Sequence, residues 1–472
     1  MPDMLPLDIV IMAAGQGTRM KSRRAKVLQP LAGQPLLAHV LAAVVPLAAR
    51  SITVIAGHEA AQVHAFCDAW RMAHPQAAPL RVVLQQPQRG TGHAVQQAAP
   101  HLGAGGMVLV LNGDGPMLAT DTLRALLERS GGEALALLTV DTGAHAGAYG
   151  RVLREEDGSV RAIREARDAS EAELACTEWY SGVLAAPVAL LARCLAMLDD
   201  NNAQHELYLT DVVRHARTLG AQVQALCIAD AAQAEGVNTP AQLAALERLW
   251  QRRNAEALMA QGVRLADPAR LDVRGALRCG QDVEIDVGCV FEGEVHLGDD
   301  VRIGAHCCIA SARIAAGARI APFTHIDGGT AGVTIEVGER AQVGPFARLR
   351  PGAQLGAEVH IGNFVEVKNS QLAAGAKANH LAYLGDASVG ERVNYGAGCI
   401  TANYDGAHKH RTTIGDDVHV GSNSTLVAPV CIGAGATVGA GSAITRDVPA
   451  GALALRRAPQ QAREGWQRPK KG

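Results

Sequence analysis

Between Val337 and Ile444, aliphatic residues recur at every sixth position: Val337, Val343, Leu349, Leu355, Ile361 and Val367, then Ile414, Val420, Leu426, Ile432, Val438 and Ile444, many followed by glycine. A helix repeats about every 3.6 residues and a lone strand every two, so neither sustains a period of six. A three-sided parallel β-helix does. Each six-residue step is one short flat face, the aliphatic residue points inward, and glycine eases the corner. The register extends back to Leu297, Ile303 and Ile309 and to Ile314, Ile320 and Ile326, with one-residue slips between. It breaks twice. Between Val367 and Val389 the chain reads as an insertion, KNSQLAAGAKANHLAYLGDAS, and between Thr401 and Ile414 as a second, ANYDGAHKHRTT. Solenoids tolerate corner loops and use them for chemistry, so functional residues are expected there.

A chain of 472 residues exceeds one compact core, and two domains are expected. Its 44 basic and 46 acidic residues nearly cancel, which argues against a broad nucleic-acid or membrane surface. Only the tail, with Arg463, Arg468, Lys470 and Lys471, is locally basic, and a solvated terminus accounts for it. Aromatic residues are 3% of the chain against 48% hydrophobic residues, so the cores are aliphatic and alanine-rich, which suits a β-helix. The ten cysteines include no CxxC pair, so neither a zinc site nor a disulfide framework is indicated. No basic segment with an apolar core opens the chain. The longest apolar run, residues 36–49, contains His39 and Pro46 and is too short to span a bilayer. A cytoplasmic protein without a membrane span is expected.

In the first half, the run DIVIMA at 8–13 stops at the glycine loop AAGQGTRM. Similar runs at 51–56, 80–84, 107–111 and 134–140 alternate with helix-length amphipathic segments. That pattern predicts a Rossmann-like α/β domain, its parallel sheet covered on both faces and its ligand beyond the carboxyl ends of the strands. Gly15 and Gly17 let backbone N–H groups approach a phosphate, with Arg19 or Lys26 as the neutralising cation. A tight turn explains the loop equally well, because the third glycine of a dinucleotide fingerprint and a P-loop lysine are both missing. Polar loops follow two strands: Gln85 and Gly90-Thr91-Gly92 after Leu84, and Asn112-Gly113-Asp114 after Leu111. A carboxylate there suits Mg²⁺, although a helix cap is the plainer role for Asp114. Farther on, Thr239 and Pro240 mark a helix start, and Leu243, Leu246, Trp250, Ala257 and Leu258 an apolar face before Gly262. About twenty residues at ~1.5 Å rise give a helical spacer of roughly 30 Å.

In the second half, Arg348 and Arg350 flank the inward Leu349 and therefore point outward. Lys368 lies eighteen residues, one full coil, beyond Arg350, so the two cations stack on one face. They suggest an anion site, with a solvated charged face as the alternative. His380 stands in the first apparent insertion; a neutral imidazole with an ordinary pKa of about 6.5 is suited to taking a proton from an attacking amine.

These motifs resemble the sugar-phosphate nucleotidyltransferases. MAAGQGTRM with RAKVL downstream looks like the LxxGxGTRM…PK signature, and GTGHA, the NGD strand end, YGR at 149–151 and EGVN at 235–238 match one branch. With the hexapeptide repeats behind them, nearly the whole chain is similar to a bacterial family that fuses N-acetylglucosamine-1-phosphate uridyltransferase to glucosamine-1-phosphate acetyltransferase. The resemblance implies a uridyltransferase domain at 1–240, a helical linker at 241–261 and a left-handed parallel β-helix at 262–472 that trimerises, the tail from Ala450 completing a neighbour's site. The activity implied is UDP-N-acetylglucosamine synthesis, feeding peptidoglycan, lipopolysaccharide and lipid A, from glucosamine-1-phosphate, acetyl-CoA and UTP with Mg²⁺.

Position by position, the resemblance implies Met12, Ala13, Ala14 and Gly15 against uracil and phosphates, Lys26 on the phosphates, and Gln85, Gly90 and Thr91 on the uracil. Asn112 and Gly113 belong to the same nucleotide-sugar site. Gly150, Glu165 and Tyr180 fall on the sugar side, and Asp114 and Asn238 hold Mg²⁺. In the β-helix it implies His380 as the base, Arg350, Lys368, Tyr383 and Asn394 around the sugar phosphate, and Ala397, Asn403, Tyr404, Ser422, Ala440 and Arg457 on acetyl-CoA, with Lys409 near its phosphates. Three positions depart from the pattern: Gln16 stands where lysine is usual, Asn112 where tyrosine is common, and Tyr180 where asparagine contacts the sugar. Two other readings keep part of this picture: a nucleotidyltransferase whose β-helix only regulates or trimerises, and a non-catalytic regulatory subunit. His380 with Asn403-Tyr404 argues against the first, and Lys26, Asp114 and Asn238 against the second. A metal site between coils needs three converging histidines, and His306, His325, His360, His380 and His419 make no evident trio.

Overall fold

The structure is a computed structural model that describes residues 5–143, 146–329 and 334–469. Lys470 and Lys471 of the basic tail lie outside them. The chain divides into two compact units, Met1–Glu247 and Arg248–Gly472. The division falls inside the helix Pro240–Ala260, where the sequence suggests a separate linker at 241–261.

In the first unit, the five apolar runs become β1 (Leu7–Ala13), β2 (Ser51–Ala56), β3 (Leu80–Leu84), β4 (Met107–Asn112) and β5 (Leu135–Asp141), with α1 (Thr91–Ala98) after β3. A hairpin of β6 (Arg151–Arg154) and β7 (Val160–Arg164) follows, then β8 (Glu178–Pro187) and β9 (Val223–Ile228). The spatial order is β9-β5-β8-β4-β1-β2-β3, with the hairpin attached to β8. β1 runs parallel to β2 and β4, β2 to β3, and β5 to β9. Successive residues of β1 feed opposite cores, Ile9 and Ile11 one side and Val10 the other, which is why the strand is apolar throughout.

The sheet departs from the expected all-parallel form at β8, which lies between β4 and β5 antiparallel to both. Gly182 sits there at φ +87° and the register shifts between Tyr180 and Leu184, so the segment lacks the unbroken alternation that marks a strand in sequence.

The helix α2 (Pro240–Ala260) starts as its residues predict: Thr239 Oγ1 accepts the Gln242 N–H at 3.2 Å, and Gln242 Oε1 accepts the Asn238 N–H at 2.9 Å. Its buried face in the second unit differs from expectation. Ala257 is exposed, and Gln251, Ala255 and Leu258 point inward. Gln251 tolerates burial because its amide donates to Val273 O at 2.9 Å and accepts from Val273 N at 2.8 Å.

The second unit is a parallel β-helix, its strands stacked coil on coil in one eleven-stranded and one sixteen-stranded ladder among the described residues. Every hexad residue named in the sequence is buried. Each aliphatic side chain so buried contributes about 1.5–3 kcal/mol, which is how a column of them holds together a sheet with few aromatics.

The first apparent insertion is not one. After Val367, Leu372, Ala378, Leu384 and Val389 continue the inward column in steps of five, six, six and five residues, and pair with Leu355, Ile361, Val367 and Leu372 of the coil before. This coil is seventeen residues long, because its corner at Asn369 is shortened, and Ala378 is a small inward residue. Both features hide it from a search for every sixth large aliphatic residue. The second insertion is real, since Val389 pairs with Ile414, twenty-five residues on.

Candidate active sites

The first site lies beyond the carboxyl ends of β1 and β4. β1 ends at Ala13, and the loop that follows turns at Gly17, φ +60°, where a Cβ would stand 2.8 Å from Lys26 Cβ. The glycine therefore lets Lys26 approach. Its Nζ is 2.5 Å from Asp114 Oδ2 and 3.2 Å from Asn238 Oδ1. Asp114 and Asn238 are distant in sequence but meet because Val237 N–H donates to Asp114 O at 3.1 Å. A carboxylate and an amide oxygen thus converge on one point, and hard oxygen donors of this kind fit a small divalent cation that keeps its remaining positions for water and phosphate.

The cavity around them has a volume of about 490 Å³. Of the residues proposed from sequence, Met12, Ala13, Ala14, Gly15, Lys26, Gln85, Gly90, Thr91, Asn112, Asp114 and Asn238 line it. Gly90, φ +102°, is held against Leu207 O, where a Cβ would come within 2.6 Å, and Thr91 Oγ1 accepts the Leu209 N–H at 3.0 Å. Gln16, Gln88, Tyr149, Ser181, Glu206 and Gly236 also form the wall. Tyr149 and Gly236 belong to motifs the sequence offers, YGR and EGVN, whereas Gln88 and Glu206 carried no signal. Gln88 donates to Ala14 O and so props the glycine loop. Asn112 donates to Ser181 O at 3.1 Å, directing its amide toward β8.

Gly113, Gly150, Glu165 and Tyr180 are not part of that lining. Gly150 O accepts the Tyr180 N–H at 2.9 Å, and Tyr180 is buried with no partner for its hydroxyl among the described residues. Glu165 faces a separate cavity of about 220 Å³ with Asp168, Asp199 and Asp211 and accepts from Thr210 at 3.0 Å. Burial pushes its carboxyl above the usual range, against the lowering effect of Thr210, and the neighbouring acids add to the rise.

The second site is written on the β-helix coils. Leu349 pairs with Val367, which sets Arg350 against Lys368 on one face, as the eighteen-residue spacing predicts. Arg350 donates to Glu366 at 2.7 Å, and this bond holds its guanidinium above its ordinary pKa. Tyr383 stands opposite Glu366 in the next coil. Contact with Lys409 of the true insertion, then burial and Arg350, lower the Lys368 ammonium. Four polar or charged side chains and Lys409 therefore form a net cationic patch in which like charges face one another, the arrangement an anion relieves.

His380 ends the strand Lys377–His380 and is exposed. Its Nδ1 is 3.0 Å from Oδ1 of Asn363, its register partner one coil earlier. Continuing upward, Gly398 N–H donates to His380 O at 3.4 Å, Asn423 N–H to Ala397 O at 2.8 Å and Gly441 N–H to Ser422 O at 2.8 Å. His380, Ala397, Ser422 and Ala440 thus occupy one column, and Arg457 packs at its top, with Cδ 3.7 Å from where a Cβ on Gly441 would stand. Asn394 is placed opposite Lys377, three residues before His380. Asp386 is buried at the corner below the insertion and accepts both the Asn369 and the Asn403 amides at 2.5 Å. Its backbone O accepts the Thr412 N–H at 3.1 Å, so it ties down both ends of the loop that carries Tyr404, which is exposed, and Lys409. Asn363, Glu366 and Asp386 escaped the sequence reading because the shortened coil concealed their register.

Among proteins of known family, residues 9–219 match the MobA-like NTP transferase domain, and residues 411–446 match the bacterial transferase hexapeptide repeats. A protein of Paracidovorax citrulli named bifunctional protein GlmU is 63% identical over 477 residues, covering 99% of each chain. Proteins of the same name from Methylibium petroleiphilum and Polaromonas naphthalenivorans are 63% and 64% identical, covering 98% and 99% of this chain and 99% and 98% of theirs. Among the described residues, no helix is long and apolar enough to cross a membrane.

Proposed function

This chain belongs to the family of bifunctional GlmU proteins, and from that premise we infer how its two sites divide the work. The enzyme acetylates glucosamine-1-phosphate and then joins the product to UMP, making UDP-N-acetylglucosamine, the precursor for peptidoglycan and lipopolysaccharide. The β-helix performs the first reaction and the N-terminal unit the second. The observation that carries the assignment is the column of His380, Ala397, Ser422 and Ala440, an exposed imidazole continued by small residues.

In acetyl transfer, Arg350 and Lys368 bind the sugar phosphate, with Tyr383 and Asn394 beside the sugar. The pantetheine arm of acetyl-CoA lies along Ala397, Ser422 and Ala440, where short side chains expose the coil backbone, and Asn403, Tyr404 and Arg457 hold the nucleotide end. The amine attacks the thioester carbonyl, CoA leaves as the thiol, and His380 Nε2 takes the amine proton. Asn363 accepts the Nδ1–H and so keeps Nε2 unprotonated and outward.

In uridylyl transfer, UTP occupies the cavity bounded by Met12–Gly15, Lys26, Gln85, Gly90 and Thr91. The phosphate oxygen of N-acetylglucosamine-1-phosphate attacks the α-phosphorus in line and pyrophosphate departs. Asp114 and Asn238 would hold Mg²⁺, which when bound screens the phosphate charges. Lys26 lies against both and neutralises the phosphates from the same side. Asn112, Ser181 and Tyr149, which line the cavity, take the sugar contacts that Glu165 and Tyr180, set outside it, do not.

A cytoplasmic homotrimer is the assembly we infer. Its support is an exposed stack of His306, Phe323, Phe346 and Phe364, ring centroids 5.1–5.4 Å apart, at one corner of the β-helix, an apolar strip that association would cover. The test is a split assay: glucosamine-1-phosphate with acetyl-CoA, following free thiol, and N-acetylglucosamine-1-phosphate with UTP and Mg²⁺, following pyrophosphate. Both signals are expected; pyrophosphate without thiol would reduce the β-helix to a scaffold.

A further inference from the structure

Arg151 opens β6 and is the largest fully buried side chain among the described residues. Its Nη1 donates to Tyr149 O and its Nη2 to Gly147 O at 2.9 Å. Among the described residues its Nε has no partner, and no carboxylate pairs with the guanidinium. Arginine stays charged in proteins, so a full positive charge is buried here against two neutral carbonyls. Such a charge costs stability unless an acid or a full set of acceptors relieves it. A cation held on those terms points to a role other than packing.

The two carbonyls belong to the turn that precedes β6. That turn has one backbone hydrogen bond of its own, Tyr149 N–H to Ala146 O at 3.2 Å. Gly147 is exposed, and a Cβ there would meet nothing within 4 Å, so the guanidinium is what ties this side of the turn to the sheet. The turn delivers Tyr149. Its ring stacks on Trp179, centroids 4.1 Å apart, its hydroxyl accepts the Gly236 N–H, and it lines the cavity that contains Asp114 and Asn238. Trp179 is in turn the register partner of Arg151 on β8. Cation, turn and stacked rings therefore form one unit behind the cavity wall.

We propose that Arg151 is a positioning residue for uridylyl transfer: its planar fork spans two carbonyls, sets the turn that carries Tyr149, and so shapes the sugar-phosphate side of the cavity without touching a substrate. This rests on the reading that puts N-acetylglucosamine-1-phosphate against Tyr149. Lysine keeps the charge but offers one nitrogen where the fork offers two at a fixed separation. Methionine keeps the length of the side chain and removes both charge and donors.

The test compares full-length wild type, Arg151→Met and Arg151→Lys by pyrophosphate release at varied N-acetylglucosamine-1-phosphate and at varied UTP, by thiol release, and by thermal unfolding. In Arg151→Met the KM for the sugar phosphate should rise about tenfold, the size of one lost charge-assisted hydrogen bond, while the KM for UTP and thiol release change less than about twofold. Its unfolding midpoint should lie no more than about 3 °C below wild type, because the variant no longer buries an unpaired charge. Arg151→Lys should fall between, at about a threefold rise. A KM for the sugar phosphate within twofold of wild type in Arg151→Met overturns the proposal. So does a KM for UTP that rises equally, since a collapsed cavity moves both and a displaced turn moves one. Should Arg151→Met fail to fold, Arg151→Lys decides on the same two criteria. Failure of the underlying reading looks different: Tyr149→Ala would leave the KM for the sugar phosphate at its wild-type value.

Discussion

His380 Nδ1 lies 3.0 Å from Asn363 Oδ1, and the two residues are register partners on adjacent coils. The amide oxygen accepts the Nδ1–H, which leaves Nε2 as the ring's only basic nitrogen and aims it outward. Replacing His380 by Ala should lower acetyl transfer by about 10²–10⁴-fold, the usual reach of a general base, and leave uridylyl transfer intact. Asn363→Leu should lower kcat for acetyl transfer about tenfold, roughly one lost hydrogen bond, with little change in KM for either substrate. Loss of both activities in a folded protein would contradict the separation of sites.

Among the described residues, Asp114 supplies the only carboxylate that touches the Lys26 ammonium. Asp114→Ala should abolish pyrophosphate release while thiol release stays within twofold. Asp114→Asn keeps an oxygen but loses its charge, so its activity should require a Mg²⁺ concentration at least tenfold higher. A magnesium titration of the two variants checks both statements.

Tyr180 and Glu165 make a prediction about stability. The Tyr180 hydroxyl is buried without a partner among the described residues, so Tyr180→Phe should leave stability within about 0.5 kcal/mol of wild type or raise it. Tyr180→Asn, which opens a cavity and buries an amide, should cost about 3 kcal/mol. Chemical denaturation followed by tryptophan fluorescence distinguishes them.

Glu165 has a folded pKa raised above its ordinary 4.5. Its contribution to stability is therefore fully present below pH 4.5 and is lost as pH rises through the raised value. Glu165→Gln removes the titration, so the stability of the first unit should fall less over that window than in wild type. An identical pH profile in the two proteins would refute the assignment.

Asp386 binds the amides of Asn369 and Asn403 and the backbone of Thr412. Asp386→Ala frees the loop that carries Tyr404 and Lys409. A rise of about tenfold in the KM for acetyl-CoA is expected, with kcat at saturation changed much less. A fall in kcat alone would place Asp386 elsewhere in the reaction.

The sequence alone determined the β-helix and the nucleotide-binding sheet, because both follow from local periodicity. Every sixth residue must be apolar if it faces the interior of a three-sided coil, and β1 must be apolar throughout if both its faces are covered. It also marked Lys26, Asp114, Arg350, Lys368 and His380, whose spacing or motif was visible without coordinates. Tertiary structure alone decided what those residues meet. The seventeen-residue coil that sets His380 on Asn363 is defined by hydrogen bonds between strands, not by any pattern along one of them. Asn238 reaches Asp114 through a backbone contact that returns the chain across the first unit, and Tyr180 stands outside the cavity because an antiparallel strand turns it there. Local sequence fixes which faces are apolar; only long-range pairing fixes which polar groups share a site.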